Sequence, residues 1–452
     1  MKNCLIAAIC GFKQTLNKRQ KSLKIPTFRY CSLFRIILNL QSEMLITKIN
    51  IKMKQLFLLL ISNLVLISLI NGQELNQEQE SIPESISESI FNEENQKRLS
   101  LGGYGQIDYN QSIDGTVRSN GKLDVHRLIL FAGYKFNEKT KFITELEFEH
   151  VSEVYVEQAY LDYQLLNNMS VKGGLILIPM GIINEYHEPP SYNGVERPNV
   201  DNVIVPTTWR EIGLGVDGRI NTAALRYQLY VVNGFNGYNG AGVFKGSNGL
   251  RSGRQKGAES YISSPNVSAK VDYFGISGLK LGLSGYFGKS QSTLYNGIDK
   301  NDETALAAAD SSVIGINMLG LDYRYSISGL HSRGQLIYSK FSNVEQYNAF
   351  TGKDLGESML GYYIEVSYDI FNRNSSFKNE LTPFVRFEKY NTHNSVVSGM
   401  NANNTYDITE FLVGFAFKMD RGAAFKVDYR MYKNADEASY NSMLNMGVAV
   451  WF

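Results

Sequence analysis

From Leu99 to Phe452 apolar and polar positions alternate along the chain. In residues 423–433, Phe425, Val427, Tyr429 and Met431 alternate with Lys426, Asp428 and Arg430. Residues 141–149 set Glu145, Glu147 and Glu149 against Phe142, Leu146 and Phe148. Residues 221–232 set Leu225, Tyr227, Leu229 and Val231 against Arg226 and Gln228. In 360–370, Tyr362, Ile364, Val366 and Tyr368 oppose Glu365, Ser367 and Asp369. Successive side chains of a strand point to opposite faces, so each stretch has one apolar and one polar face. A soluble sandwich also alternates, but about sixteen segments of roughly ten residues suit strands that cross a bilayer at a tilt. Closure of such a sheet removes its edges, as lipid requires. Short turns such as 137–138 and 167–168 alternate with long polar loops at 179–208, 233–265, 288–312, 342–357 and 391–407. Short turns at one end and long loops at the other are the build of an outer-membrane barrel. The expected fold is therefore all-β, a transmembrane antiparallel barrel of about 16 strands.

The front of the chain reads differently. Met53-Lys54-Gln55, the apolar run 56–70 and then Asn71-Gly72-Gln73 have the layout of a signal peptide over 53–72. Residues 1–52 precede a complete signal and are expected to be a spurious extension. Residues 73–98 read as an acidic periplasmic arm or linker, with Ile82, Ile86 and Ile90 at helical spacing. The barrel is expected over 99–452.

Composition sharpens this picture. The chain has 28 Tyr and 24 Phe against 2 Trp, and 40 Gly against 9 Pro, a balance that favours strands. Eleven of its 45 Lys and Arg, but only one of its 44 acids (Glu43), precede residue 73, so the body carries a net charge near -9. An acidic body is a poor partner for nucleic acid. Cys4, Cys10 and Cys31 all lie in the front segment, which leaves the body without a thiol for metal or catalysis. No cofactor is expected.

The chain ends in an apolar row, Leu444, Met446, Val448, Val450 and Phe452. The row resembles the signal that the barrel-assembly machinery reads, with Val448, Val450 and Phe452 as its core. The segments 157–163, 173–179, 180–190, 193–198 and 206–213 resemble the phosphate-selective porin O and P family, closest in style to porins of Bacteroidetes-like Gram-negative bacteria. The likeness covers 99–452 and is most specific over 157–217. It implies a sixteen-stranded barrel, a homotrimer in outer-membrane lipid, and a constriction loop folded into the lumen.

That loop is expected at 179–210, stiffened by Pro189, Pro190, Pro198 and Pro206. Its candidate constriction and selectivity residues are Glu185, His187, Glu188, Glu196, Arg197, Asp201 and Arg210, because charges at a narrow point bias which ions enter. Alternation places the bases Lys141, Lys172, Arg226, Lys270, Lys280, Arg324, Arg386, Lys426 and Arg430 in the lumen. It places there the acids Glu145, Glu147, Glu149, Asp162, Glu211, Asp217, Asp272, Asp322, Glu365, Asp369, Glu388, Glu410 and Asp428. Acids at least match bases, which points to a weakly selective pore for ions and small hydrophilic solutes. An anion- or phosphate-selective channel gated by Arg197, Arg210 and Arg226 is the first alternative, and a closed structural or binding barrel the second. An enzyme is not expected: the five His are scattered, no Gly-x-Ser-x-Gly elbow is present, and His150 points away from Glu147 and Glu149.

Overall fold

The computed structural model describes residues 98–113, 117–372, 378–420 and 422–452. The signal peptide, the extension before it and nearly all of the acidic arm lie outside these residues. Among the described residues the strands are β1 (Leu99–Ser112), β2 (Lys122–Lys135), β3 (Thr140–Glu149), β4 (Glu153–Leu166), β5 (Met169–Leu177), β6 (Arg210–Ile220), β7 (Leu225–Val232), β8 (Asn236–Tyr238) and β9 (Asn266–Ile276). They continue with β10 (Leu279–Lys289), β11 (Gln291–Ser292), β12 (Gly315–Ile327), β13 (Leu330–Ser342), β14 (Ser358–Tyr368), β15 (Glu380–Ser395), β16 (Asp407–Asp420), β17 (Ala423–Asn434) and β18 (Asn441–Trp451).

Sixteen of these strands close into one antiparallel barrel, each paired with its neighbour along the chain. The barrel shuts where β1 meets β18, with Tyr104 opposite Trp451 and Ile107 opposite Val448. Main-chain bonds between Gly103 and Phe452 (2.8 and 2.9 Å) extend that seam to the last residue. Strands β8 and β11 form a small parallel pair on the long-loop side.

Which face points where separates this barrel from a soluble one. Leu214 (62% exposed), Leu283 (59%) and Val385 (55%) face outward, while Glu145, Lys270, Arg386 and Glu410 are buried inside. Apolar-out and polar-in is the pattern of a wall that meets lipid and encloses polar contents. No helix among the described residues is long and apolar enough to cross a membrane.

The expected division into short turns and long loops holds for most connections, with the short 150–152 at the long-loop end as an exception. Strands join at one end through turns as short as 167–168, 277–278 and 328–329, and at the other through 178–209, 233–265 and 290–314. The Asn137 side chain fixes one short turn by accepting from the backbone N–H groups of Lys139 and Thr140, both at 2.9 Å. Two segments expected as plain loops carry helices, α1 (Glu303–Ser311) and α2 (Val344–Thr351). The Asp302 carboxylate caps α1 by accepting from Ala305 N at 2.9 Å, ahead of an Ala-rich run. Helix α2 stops at Gly352, whose φ of 65° suits a residue without Cβ.

Candidate functional site

Residues 178–209, between β5 and β6, turn into the barrel instead of running over its rim. Ile178, Met180, Ile183, Val200, Ile204, Val205 and Trp209 are each fully buried there. Their outer neighbours are aromatic: the Trp209 ring lies 4.6 Å from both Phe235 and Tyr286, and Phe244 lies 5.8 Å from Tyr347. The loop thus has an apolar core of its own beneath the long loops.

Charged wall residues seize its main chain. The Lys426 ammonium donates to the carbonyls of Pro189, Tyr192 and Gly194. Lys270 donates to Gly181 O (2.7 Å) and Arg333 to Ser191 O (2.9 Å). The Asp428 carboxylate accepts from Val195 N (2.7 Å), and Gln335 Oε1 from Ile182 N (2.9 Å). Gly181 turns the chain at φ 70°, where an added Cβ would stand 2.8 Å from Gln335 Oε1. A backbone held on several sides from distant strands is a fixed internal element.

The residues expected at the constriction fall into two groups. His187, Glu188 and Asp201 are buried, and Glu185 is partly buried against the wall. Glu185 meets Lys270 (2.5 Å) and Arg226 (3.7 Å), and these charges hold its carboxyl far below the usual range despite burial. His187 Nε2 meets Glu157 Oε2 (3.1 Å) and Glu145 Oε2 (3.8 Å). Burial alone would lower His187, but these carboxylates lift it to about 9. Asp201 accepts from Gln335 Nε2 (2.8 Å), and burial pushes its carboxyl up to about 7.

Glu196, Arg197 and Arg210 instead line a cavity of about 380 Å³ on the long-loop side of the inserted loop. Its other charged walls are Arg127, Arg251, Arg254, Lys256, Arg430, Glu147 and Glu149. Seven basic side chains therefore face three acids. Arg251 donates to Thr207 O (2.7 Å) and Asn202 O, and Arg254 to Pro206 O (3.1 Å) and Thr208 O, so main-chain carbonyls hold both. Burial, then the charges of Arg251 and Arg210, push Arg254 down to about 9, a cost that a bound anion would relieve.

A second cavity of about 370 Å³ opens on the short-turn side and shares none of these lining residues. There Arg324, Arg333 and Lys418 face Glu188, Glu365, Asp369 and Glu380, so acids and bases nearly balance.

Several of the residues expected in the lumen lie in the barrel interior. Glu145, Glu147, Lys270, Glu365, Arg386 and Lys426 are buried. Arg226 reaches Tyr186 Oη (3.3 Å), Arg324 stacks 4.1 Å from the Tyr186 ring, and Arg430 grips Glu410 (2.7 Å). Strand alternation alone missed Arg251, Arg254 and Lys256, which lie on a loop that folds back over the mouth. The run Arg251-Ser-Gly-Arg254-Gln-Lys256 was the signal that could have found them. His150 pairs with Asp124 (2.7 Å), away from Glu147.

A closed sixteen-stranded barrel with an apolar exterior and a charged interior is built to sit in a membrane. Two solved structures are similar to it in fold at low identity. The outer membrane channel DcaP of Acinetobacter baumannii is 12% identical, with 78% of this chain and 97% of that one covered at a TM-score of 0.50. An anion-selective porin from Comamonas acidovorans is 12% identical, covering 78% and 99% at a TM-score of 0.50. No protein-family model matches the chain. An uncharacterized protein of Aquifex aeolicus (strain VF5) is 32% identical over 350 residues, which span 74% of this chain and 75% of that protein. The chain belongs to the same family as that protein.

Proposed function

We propose that this protein is an outer-membrane porin for passive diffusion of ions and small hydrophilic solutes, weakly selective and biased toward anions by its long-loop mouth. The observation that carries this reading is the barrel wall, with apolar side chains outside and a charged interior around one inserted loop. Water-filled barrels need that arrangement, and fixed charges near the narrow part then set which ions enter. The excess of basic side chains at the long-loop cavity supports the anion bias. Counting acids and bases along the strands alone misses it, because three of the bases sit on a loop.

In this reading Glu196, Arg197 and Arg210 act at the mouth, while Glu185, His187, Glu188 and Asp201 seat the loop. Residues 53–72 export the chain, and Val448, Val450 and Phe452 present it to the assembly machinery. The barrel then works as a homotrimer without catalysis or cofactor. Phosphate selectivity, as in the porin O and P family, is the narrower form of the same reading.

Planar-bilayer conductance of refolded residues 73–452 under a KCl gradient tests it. Open channels with a reversal potential on the anion side support the proposal, and block by added phosphate would establish the narrower form. Conductance near zero would overturn it in favour of a closed binding barrel, a reading that the dense packing of the inserted loop favours.

A further inference from the structure

We propose that Glu145, Glu157 and His187 bind one divalent transition-metal ion, which ties the lumen loop to the barrel wall. The three residues come from β3, β4 and the inserted loop, and each is at least nine-tenths buried. One ligand atom from each lies within 4.8 Å of the others. His187 Nε2 is 3.1 Å from Glu157 Oε2 and 3.8 Å from Glu145 Oε2. Tetrahedral zinc with bonds of about 2.1 Å sets its ligands about 3.4 Å apart, so small shifts would complete the site.

Two of the carboxylate oxygens await a partner. Glu145 Oε2 and Glu157 Oε1 are buried and accept no hydrogen bond. Arg210 stops 3.8 Å from Glu157 Oε1, and the Tyr104 hydroxyl donates to the other oxygen at 3.2 Å. Charge points the same way. Glu147 and Glu188 act on the same cluster, so four carboxylates face the guanidinium groups of Arg127 and Arg210. With His187 counted as a cation the four carboxylates outnumber the cations by one, an imbalance that a divalent ion in place of the His187 proton would remove. One imidazole with two carboxylates suits zinc, cobalt or manganese, whereas calcium takes oxygen ligands. Glu147 and Arg210 also line the long-loop cavity, which gives an ion a route in.

The proposal goes beyond conduction and is read by binding, so its failure and that of the porin reading are distinct. The full mature chain, folded in detergent and stripped with a chelator, is titrated with ZnCl2, with heat-shifted gel mobility as the check of folding. One equivalent is expected, with affinity at least tenfold weaker in Glu145→Gln and in His187→Gln. No stoichiometric zinc in the folded wild type would overturn the proposal, as would full affinity in both variants. Loss of binding on Asp108→Asn alone would also overturn it, by moving the ion to the Asp108, His126 and Glu196 cluster at the mouth. X-ray absorption of the zinc-loaded wild type needs no variant. One imidazole with oxygen ligands supports the site, and two imidazoles overturn it.

Discussion

Replacing Lys426 by Met removes the ammonium through which β17 holds the inserted loop. The Met side chain keeps most of the apolar stem, so the wall stays filled while three carbonyls, of Pro189, Tyr192 and Gly194, lose their donor. The Tyr192 ring, 4.3 Å from the ammonium, loses a cation–π contact as well. Bonds to a charged donor contribute ~1.5–3 kcal/mol each, a gross gain of about 4.5–9 kcal/mol for three. The cost of burying the ammonium, several kcal/mol, offsets much of that. Lys270, Arg333 and Asp428 keep other points of the loop in place. A net loss of ~2–3 kcal/mol follows, which lowers the ratio of seated to released loop by roughly 30- to 150-fold. Single-channel recording in planar bilayers reads this as larger or more frequently fluctuating conductance, with heat-shifted gel mobility showing that the barrel has folded. Wild-type conductance and noise in a folded Lys426→Met barrel would refute the reasoning.

Exchanging Arg197 and Lys256 together for Glu takes the long-loop cavity from an excess of four positive charges to balance. At ~0.5 kcal/mol per charge about 8 Å away in water, four charge units shift each ion by ~2 kcal/mol in opposite senses before salt screening, so the anion-to-cation permeability ratio should fall at least tenfold, and an unchanged reversal potential would disprove the assigned role. Asp201 predicts a pH effect: burial raises its carboxyl from 3.8 to about 7, so the seated loop prefers the protonated form. That stabilisation is full below pH ~4 and fades as pH rises to about 7. Conductance should therefore fall on acidification from pH 8 to 5, and Asp201→Asn should flatten the response relative to wild type. Deleting Phe452 removes the final pair of main-chain bonds to Gly103 at the barrel seam. The fraction of heat-shifted, folded barrel recovered from outer membranes should drop several-fold, and full recovery would remove Phe452 from the assembly signal.

Much of the wall was legible in one dimension. The alternation of Phe425, Val427 and Tyr429 with Lys426 and Asp428 reappears as outward and inward faces of β17, because a strand gives each side chain only two directions. Length, Pro and charge marked 179–210 as a candidate loop, its entry into the lumen was implied by the family resemblance, and the charge of its candidate residues was legible. Their division was not. Glu185 and Asp201 look like free charges at the constriction until Lys270 and Gln335, 85 and 134 residues away, are brought against them. Helix α1 was hidden inside a polar stretch, although Asp302 ahead of an Ala-rich run was there to be read.

The class of barrel and its strand faces follow from local periodicity and chain length, whereas entry of one loop into the lumen was implied only by the family resemblance. What the interior charges do is set by the closed barrel. Closing the sheet puts strands distant in sequence around one narrow space, where a buried charge must find a partner or keep a costly field. That requirement ties Lys426 to the loop's carbonyls, places His187 between Glu145 and Glu157, and leaves the bases at the mouth in excess.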